Sequence, residues 1–186
     1  MRITSFFWNH RLVTYVCLTI VFGTVYAFNN TLTHFLMVVP GAHLIHIPSG
    51  LKFLLVLVFG LTGALSIFSV SLAASLWFYF PNSPMVSLEL ALINALSPLL
   101  TRRIYIDKFS LNDNLSNLNW KKLLHMGLLF SFLNSVMNQL VLYWNDISQE
   151  LLQGIQVMFV GDITGVTLTL VLIKILLWVF KPKLDI

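Results

Sequence analysis

The chain has 186 residues, of which 58% are hydrophobic and only 10% are charged, and its mean hydropathy is +0.85. This composition excludes an ordinary soluble domain and predicts an all-α integral membrane protein. The net charge is +4, but the basic residues are spread over separate segments, so no nucleic acid is expected as a partner.

The first predicted transmembrane helix covers residues 12–28 and follows Arg2 and Arg11. A basic start and an apolar run also resemble a signal peptide, and we expect a retained signal anchor. Residues 29–50 are apolar but are interrupted by two prolines and two glycines. This segment is therefore predicted to be an external loop with an interfacial or re-entrant piece at about 33–47.

The rest of the chain predicts five more transmembrane helices, which makes about six in a single domain of residues 1–186. Gly60 and Gly63 divide one long apolar run into two short antiparallel helices, and Pro81 and Pro84 mark the next reversal. Residues 105–120 are polar and are predicted to form a loop. The predicted helices after the first are 49–61, 64–80, 85–101, 122–144 and 152–180.

The distribution of Lys and Arg predicts the orientation of the helices. Nine of the eleven basic residues fall on the side of the chain termini, and the opposite segment between the last two helices carries Asp146 and Glu150. Because cytoplasmic loops are enriched in Lys and Arg, both termini are predicted to be cytoplasmic. The expected location is a bacterial inner membrane, crossed several times.

Asp162 is a full charge near the middle of a thirty-residue apolar run. A carboxylate at the bilayer centre costs about 2.5 to 3.5 kcal/mol on insertion scales, so such a residue is a candidate functional site. Counting residues along each helix places Asn94 and Asn134 at a similar depth. Lys52 and Glu89 match in depth nearer the outer surface, which predicts an ion pair between them.

Two further patterns belong to the same polar interior. Asn138 lies in the outer half of the predicted bundle and makes that half more polar. The polar interior of the bundle is therefore predicted to be open outward and closed inward. Gly161 and Gly165 form a GxxxG pair, which permits close helix approach. All these residues are candidates for ligand or partner binding, and the alternative is that the amides and hydroxyls only join helices.

Metal binding and catalysis have little support in the sequence. His43 and His46 have HxxH spacing, but no carboxylate or cysteine accompanies them in the loop, so they are weak metal candidates. The only cysteine is Cys17, which excludes an internal disulfide and a CxxC site. No standard enzyme motif is present, so we expect neither catalysis nor a cofactor.

Several short motifs resemble the membrane-associated sensor domains of MASE type one, over about residues 47–177. Residues 48–51 (Pro-Ser-Gly-Leu) open an apolar helix that ends at Gly60, and Asn94 lies on a helix that ends at Arg102 and Arg103. Residues 161–165 (Gly-Asp-Ile-Thr-Gly) are similar to the family's Gly-Asp-x-x-Gly near the end of its last helices.

The resemblance implies a sensory module that precedes bacterial histidine kinases and cyclic-di-GMP enzymes. Two features depart from the family: members usually have about eight helices and an output domain, and they often carry an acid where this chain has Ser97. The resemblance therefore implies a stand-alone module without an output domain, whose signal passes in trans to another membrane protein, such as a kinase, a cyclase or a larger complex.

Two other functions remain open at this point. Substrate-binding components of energy-coupling-factor transporters also have about six helices in a similar length, although the first helix here lacks an Ala-xxx-Ala coupling face. An accessory structural subunit of a membrane complex is the third possibility. A cavity lined by Asn94, Asn134 and Asp162 would favour a ligand, and tight packing there would favour a structural role.

Overall fold

A computed structural model of the chain describes residues 11–33, 37–39 and 42–179. Apart from turns and connecting segments, this part of the protein is helical, with one short pair of strands. The elements are α1 (Arg11–Thr33), β1 (Met37–Val39), β2 (Ala42–His43), α2 (Ile47–Phe59), α3 (Leu61–Ala74), a π-helix that continues α3 (Ser75–Tyr79), α4 (Pro84–Lys108), α5 (Trp120–Trp144) and α6 (Leu151–Val179).

Five of these helical segments are long and apolar enough to cross a membrane. They are Arg11–Asn29 within α1, Leu61–Tyr79 (α3 with its π-helix), α4, α5 and α6. The predicted helical membrane architecture is thus confirmed for five spans. With 13 residues, α2 is shorter than the roughly 20 that a full crossing needs. The cytoplasmic termini and the re-entrant segment stay predictions.

The described residues of the segment after the first span include regular secondary structure, which corrects the prediction of a loop there. The first helix continues to Thr33, and β1 pairs with β2 in antiparallel fashion through Met37 with His43 and Val39 with Ala42. The prediction that the fourth span ends at residue 101 is also corrected, because α4 reaches Lys108. Its last turns pack inward through Tyr105, which is buried and stacks on Phe109 with ring centroids 4.6 Å apart.

A sharp turn at Gly60 brings α2 and α3 together, as the glycine pair at 60 and 63 predicts. The backbone of Gly60 has φ +56°, and a Cβ at Gly63 would collide with the carbonyl oxygen of Leu55. A side chain at either position is therefore disfavoured, the first by conformation and the second by space.

The short helix α2 is packed inside the bundle, most extensively against α6. Its first turns approach α6 so closely that a Cβ at Gly165 would overlap the carbonyl oxygen of His46, and a Cβ at Gly50 would overlap the carbonyl oxygen of Gly165. Further along, Phe53 stacks on Phe130 of α5 with ring centroids 5.8 Å apart. Small residues in the first turns thus hold α2 against α6, and Phe53 in its middle packs on α5.

Candidate functional site

Asp162 lies at the centre of a buried hydrogen-bond cluster, with only 1% of its surface exposed. The hydroxyl of Ser49 donates to Oδ1 of Asp162, and Nδ2 of Asn134 donates to Oδ2 at 2.6 Å. Nδ1 of His46 lies 3.5 Å from Oδ1 and 2.6 Å from the hydroxyl oxygen of Ser49. Both carboxylate oxygens are therefore satisfied, which offsets the cost of burying the charge.

Asn134 extends the cluster to α4. Its Oδ1 accepts from the hydroxyl of Ser97 at 2.9 Å and from Nδ2 of Asn138 at 3.2 Å. The cluster thus joins α2, α4, α5 and α6 through side chains alone. This is the tight packing that favours a structural role for Asp162 and Asn134.

Lys52 is the second buried charge, with 2% of its surface exposed. Its Nζ donates to Oδ1 of Asn94 at 2.7 Å, and it interacts electrostatically with Asp162. The predicted Lys52–Glu89 ion pair is wrong: no carboxylate among the described residues lies within ion-pair distance of Lys52, and Glu89 accepts from Nδ2 of Asn145 at 3.1 Å.

The position of α2 along the bundle explains why Lys52 meets Asn94 and not Glu89. The two α4 residues are five positions apart, so they differ by about 140° around the helix and by about 7.5 Å along it. The prediction gave Lys52 the depth of Glu89, but α2 begins beside Asp162 of α6 and not at the outer surface. Lys52 therefore reaches Asn94, while Glu89 lies near the end of α5.

A cavity of about 60 Å³ adjoins Lys52 at one end of the bundle. It lies at the end that carries the turn between α3 and α4, which is the end predicted to face outward. All six helices and the π-helix contribute to its wall. The lining residues are Tyr26, Asn29, His46, Lys52, Ser71, Ser75, Tyr79, Phe80, Leu90, Asn94, Asn138, Leu142 and Met158.

The wall of this cavity contains unused hydrogen-bonding capacity. The hydroxyl of Ser71 is buried and has no hydrogen-bond partner among the described residues. Lys52 has three donor positions, and Asn94 is the one acceptor bonded to them in the described part of the chain. The π-helix supplies Ser75 and Tyr79 to the wall, and π-helical turns are frequent at functional sites.

The structure thus divides the predicted site residues into two neighbouring groups. Asp162, Asn134 and Asn138 form the hydrogen-bond cluster, while Lys52 and Asn94, together with Asn138, line the cavity. Gly161 and Gly165 lie where α2 closely approaches α6. Gly165 leaves room for the carbonyl group of His46, and the carbonyl oxygen of Gly161 accepts from the backbone N–H of His46 at 3.3 Å. Glu89 belongs to neither group.

Sequence reasoning missed several members of both groups. Ser49 is the most important, because it contacts Asp162 from the first turn of α2, directly after Pro48. Asn29 was missed as well, and its side-chain oxygen accepts from the backbone N–H of Ile47 at 3.1 Å. The signal for Ser49 was its place beside Pro48 at a helix start, where a hydroxyl commonly bonds to nearby groups.

The histidines form no metal site in the described part of the chain. No group of three His, Cys, Asp or Glu residues there could hold an ion. His46 faces Ser49 and Asp162. Of His43 only the backbone is described, and His34 lies outside the described residues.

Fold and site together define a multi-pass helical membrane protein with a buried Asp-centred cluster and a lysine-lined cavity. Comparisons with protein-family models, with curated proteins and with solved structures found no match. The resemblance to sensor domains of MASE type one accordingly stays a prediction from its motifs.

Proposed function

We propose that this chain is a non-enzymatic sensory or regulatory module of a bacterial inner membrane. It binds a small ligand in the cavity beside Lys52 and acts on a partner membrane protein in trans. The observation that carries the proposal is the burial of the Lys52 ammonium group in the wall of a polar cavity. A charged side chain at this depth is costly, and such residues usually face a functional cavity.

His46 offers a route from the cavity to the rest of the bundle. Its side chain lines the cavity and contacts Asp162, and its backbone N–H bonds to Gly161 of α6. A ligand that moves His46 or Lys52 would therefore act on the junction of α2 and α6. Because α6 has 29 residues, a shift at this junction would reach the opposite end of the bundle.

The structural alternative also has a specific observation in its favour. Asp162 and Asn134 are packed into a saturated hydrogen-bond cluster and do not line the cavity. That arrangement suits an accessory subunit whose polar centre only holds the helices together. It does not account for the second charge at Lys52 or for the unpartnered hydroxyl of Ser71.

The partner is best identified by photo-crosslinking in native membranes. A photoreactive residue would replace Leu172, which is 56% exposed on α6, and in a matched control Leu65, which is 49% exposed on α3. A histidine kinase or cyclase crosslinked through α6 supports the proposal. An ATPase pair with a coupling subunit would favour transport, a stoichiometric enzyme complex would favour an accessory role, and the absence of any protein adduct would overturn action in trans.

A further inference from the structure

The chemistry of the cavity wall limits what the cavity can bind. It contains one formal positive charge, Lys52, and no Asp or Glu among the described residues that line it. Asp162 is near, but both of its oxygens are bonded to Ser49 and Asn134 outside the cavity wall. The free donor positions of Lys52 therefore favour a ligand that brings its own negative charge.

Two further observations define the shape of that ligand. Ser71, buried and unpartnered, offers a second hydrogen bond in the wall of the same cavity. A carboxylate has two oxygens and can accept from both groups at once. The wall also contains apolar side chains, which suit a short alkyl tail: Phe80, Leu90, Leu142 and Met158.

The size of the cavity favours a small molecule. Its volume is about 60 Å³, against roughly 300 Å³ for the smallest drug-sized pockets. We infer that the cavity binds a short-chain monocarboxylate, with its carboxylate on Lys52 and Ser71. This inference rests on the proposed function, in that it names the ligand of the same site.

The test uses acetate and propionate as probes on the purified full-length chain in lipid nanodiscs. Thermal unfolding followed by tryptophan fluorescence gives an apparent affinity from its dependence on probe concentration. Acetamide serves as the neutral analogue and chloride as the anion without a carboxylate, at constant ionic strength. We expect propionate and acetate to raise the unfolding temperature in a saturable way, and acetamide and chloride to do so much more weakly.

Variants connect the effect to the cavity. Lys52→Met should weaken propionate binding by about 10- to 100-fold, because it removes a hydrogen bond to a charged group. Lys174→Met is the matched control, since Lys174 is exposed on α6 and lies 5.7 Å from the ring centroid of Trp120; it should bind as the parent does. Ser71→Ala should weaken binding by about three- to tenfold, and it tests the site even if Lys52→Met fails to fold.

Each other outcome overturns a stated part of the inference. Equal binding of acetamide would remove the need for charge, and equal binding of chloride would remove the carboxylate. No saturable effect of either carboxylate would overturn the ligand class, and an effect unchanged in both cavity variants would overturn the site. The crosslinking experiment needs no added ligand, so a failure of the proposed function would appear there separately.

Discussion

The side chain of Asn134 donates a hydrogen bond to Asp162 at 2.6 Å, which joins α5 to α6 in the buried centre of the bundle. Ser49 donates to the other oxygen of the same carboxylate and adds α2 to the junction. One acid thus fixes three helices. Its burial is tolerated because every neighbour directed at it is a donor or a positive group.

Replacement of Asp162 should separate charge from hydrogen bonding. Asp162→Ala leaves the donors of Ser49 and Asn134 unpaired, so the free energy of unfolding should fall by about 1 to 3 kcal/mol. Asp162→Asn keeps an acceptor and should lose less. Unfolding by SDS in mixed micelles measures both variants, with Thr167→Ala on the exposed face of α6 as the control. Equal losses for Asn and Ala would contradict a hydrogen-bonding role.

The close approach of α2 to α6 makes a second prediction. Gly165→Ala places a methyl group on the carbonyl oxygen of His46, and overpacking of this kind costs about 1 to 3 kcal/mol. Gly23→Ala is the control, because its new Cβ would meet Val70 at an ordinary 3.6 Å. The same SDS unfolding assay should show a loss for the first variant and none for the second. If the two behave alike, α2 is not held against α6 at this point.

The sequence identified much of this arrangement before the structure. Asp162 could be recognised because a lone acid in an apolar run needs hydrogen-bond donors. Asn134 was predicted at the same depth in the membrane, and it is one of those donors. The turn at Gly60 followed from its glycine pair. These features depend on local chemistry or on position along one helix, which a single sequence records.

Other features depend on how the helices dock against one another. The position of a residue along its own helix does not reveal this. Lys52 bonds to Asn94 and not to Glu89, because α2 begins beside Asp162 and not at the outer surface, which shifts Lys52 along the bundle. Ser49 reaches Asp162 across 113 positions of sequence. The extension of α4 to Lys108 follows from the burial of Tyr105 against the core, so tertiary packing overrides the polar signal of the arginines before it.

The predicted orientation can be tested with single cysteines in intact cells. Cys17→Ser first removes the native thiol, which is exposed on α1. Asn82→Cys, in the turn before α4, should then react with a membrane-impermeant maleimide, because this turn is predicted to face outward. Asn114→Cys, in the exposed segment between α4 and α5, should react only after the membrane is permeabilised. The reverse pattern would invert the topology and place the cavity on the cytoplasmic side.

The two buried charges should prove energetically coupled. Lys52 interacts electrostatically with Asp162 without a direct contact, so Asp162→Asn alone removes a favourable interaction from a buried ammonium group. The double variant Lys52→Met with Asp162→Asn removes both charges. Its loss of unfolding free energy should therefore be smaller than the sum of the single losses, by about 0.5 to 3 kcal/mol.

The matched cycle of Asp162→Asn with Lys174→Met should be additive, because Lys174 lies at the far end of α6 beside Trp120. Additivity within about 0.5 kcal/mol in both cycles would show that Lys52 is balanced by something other than Asp162.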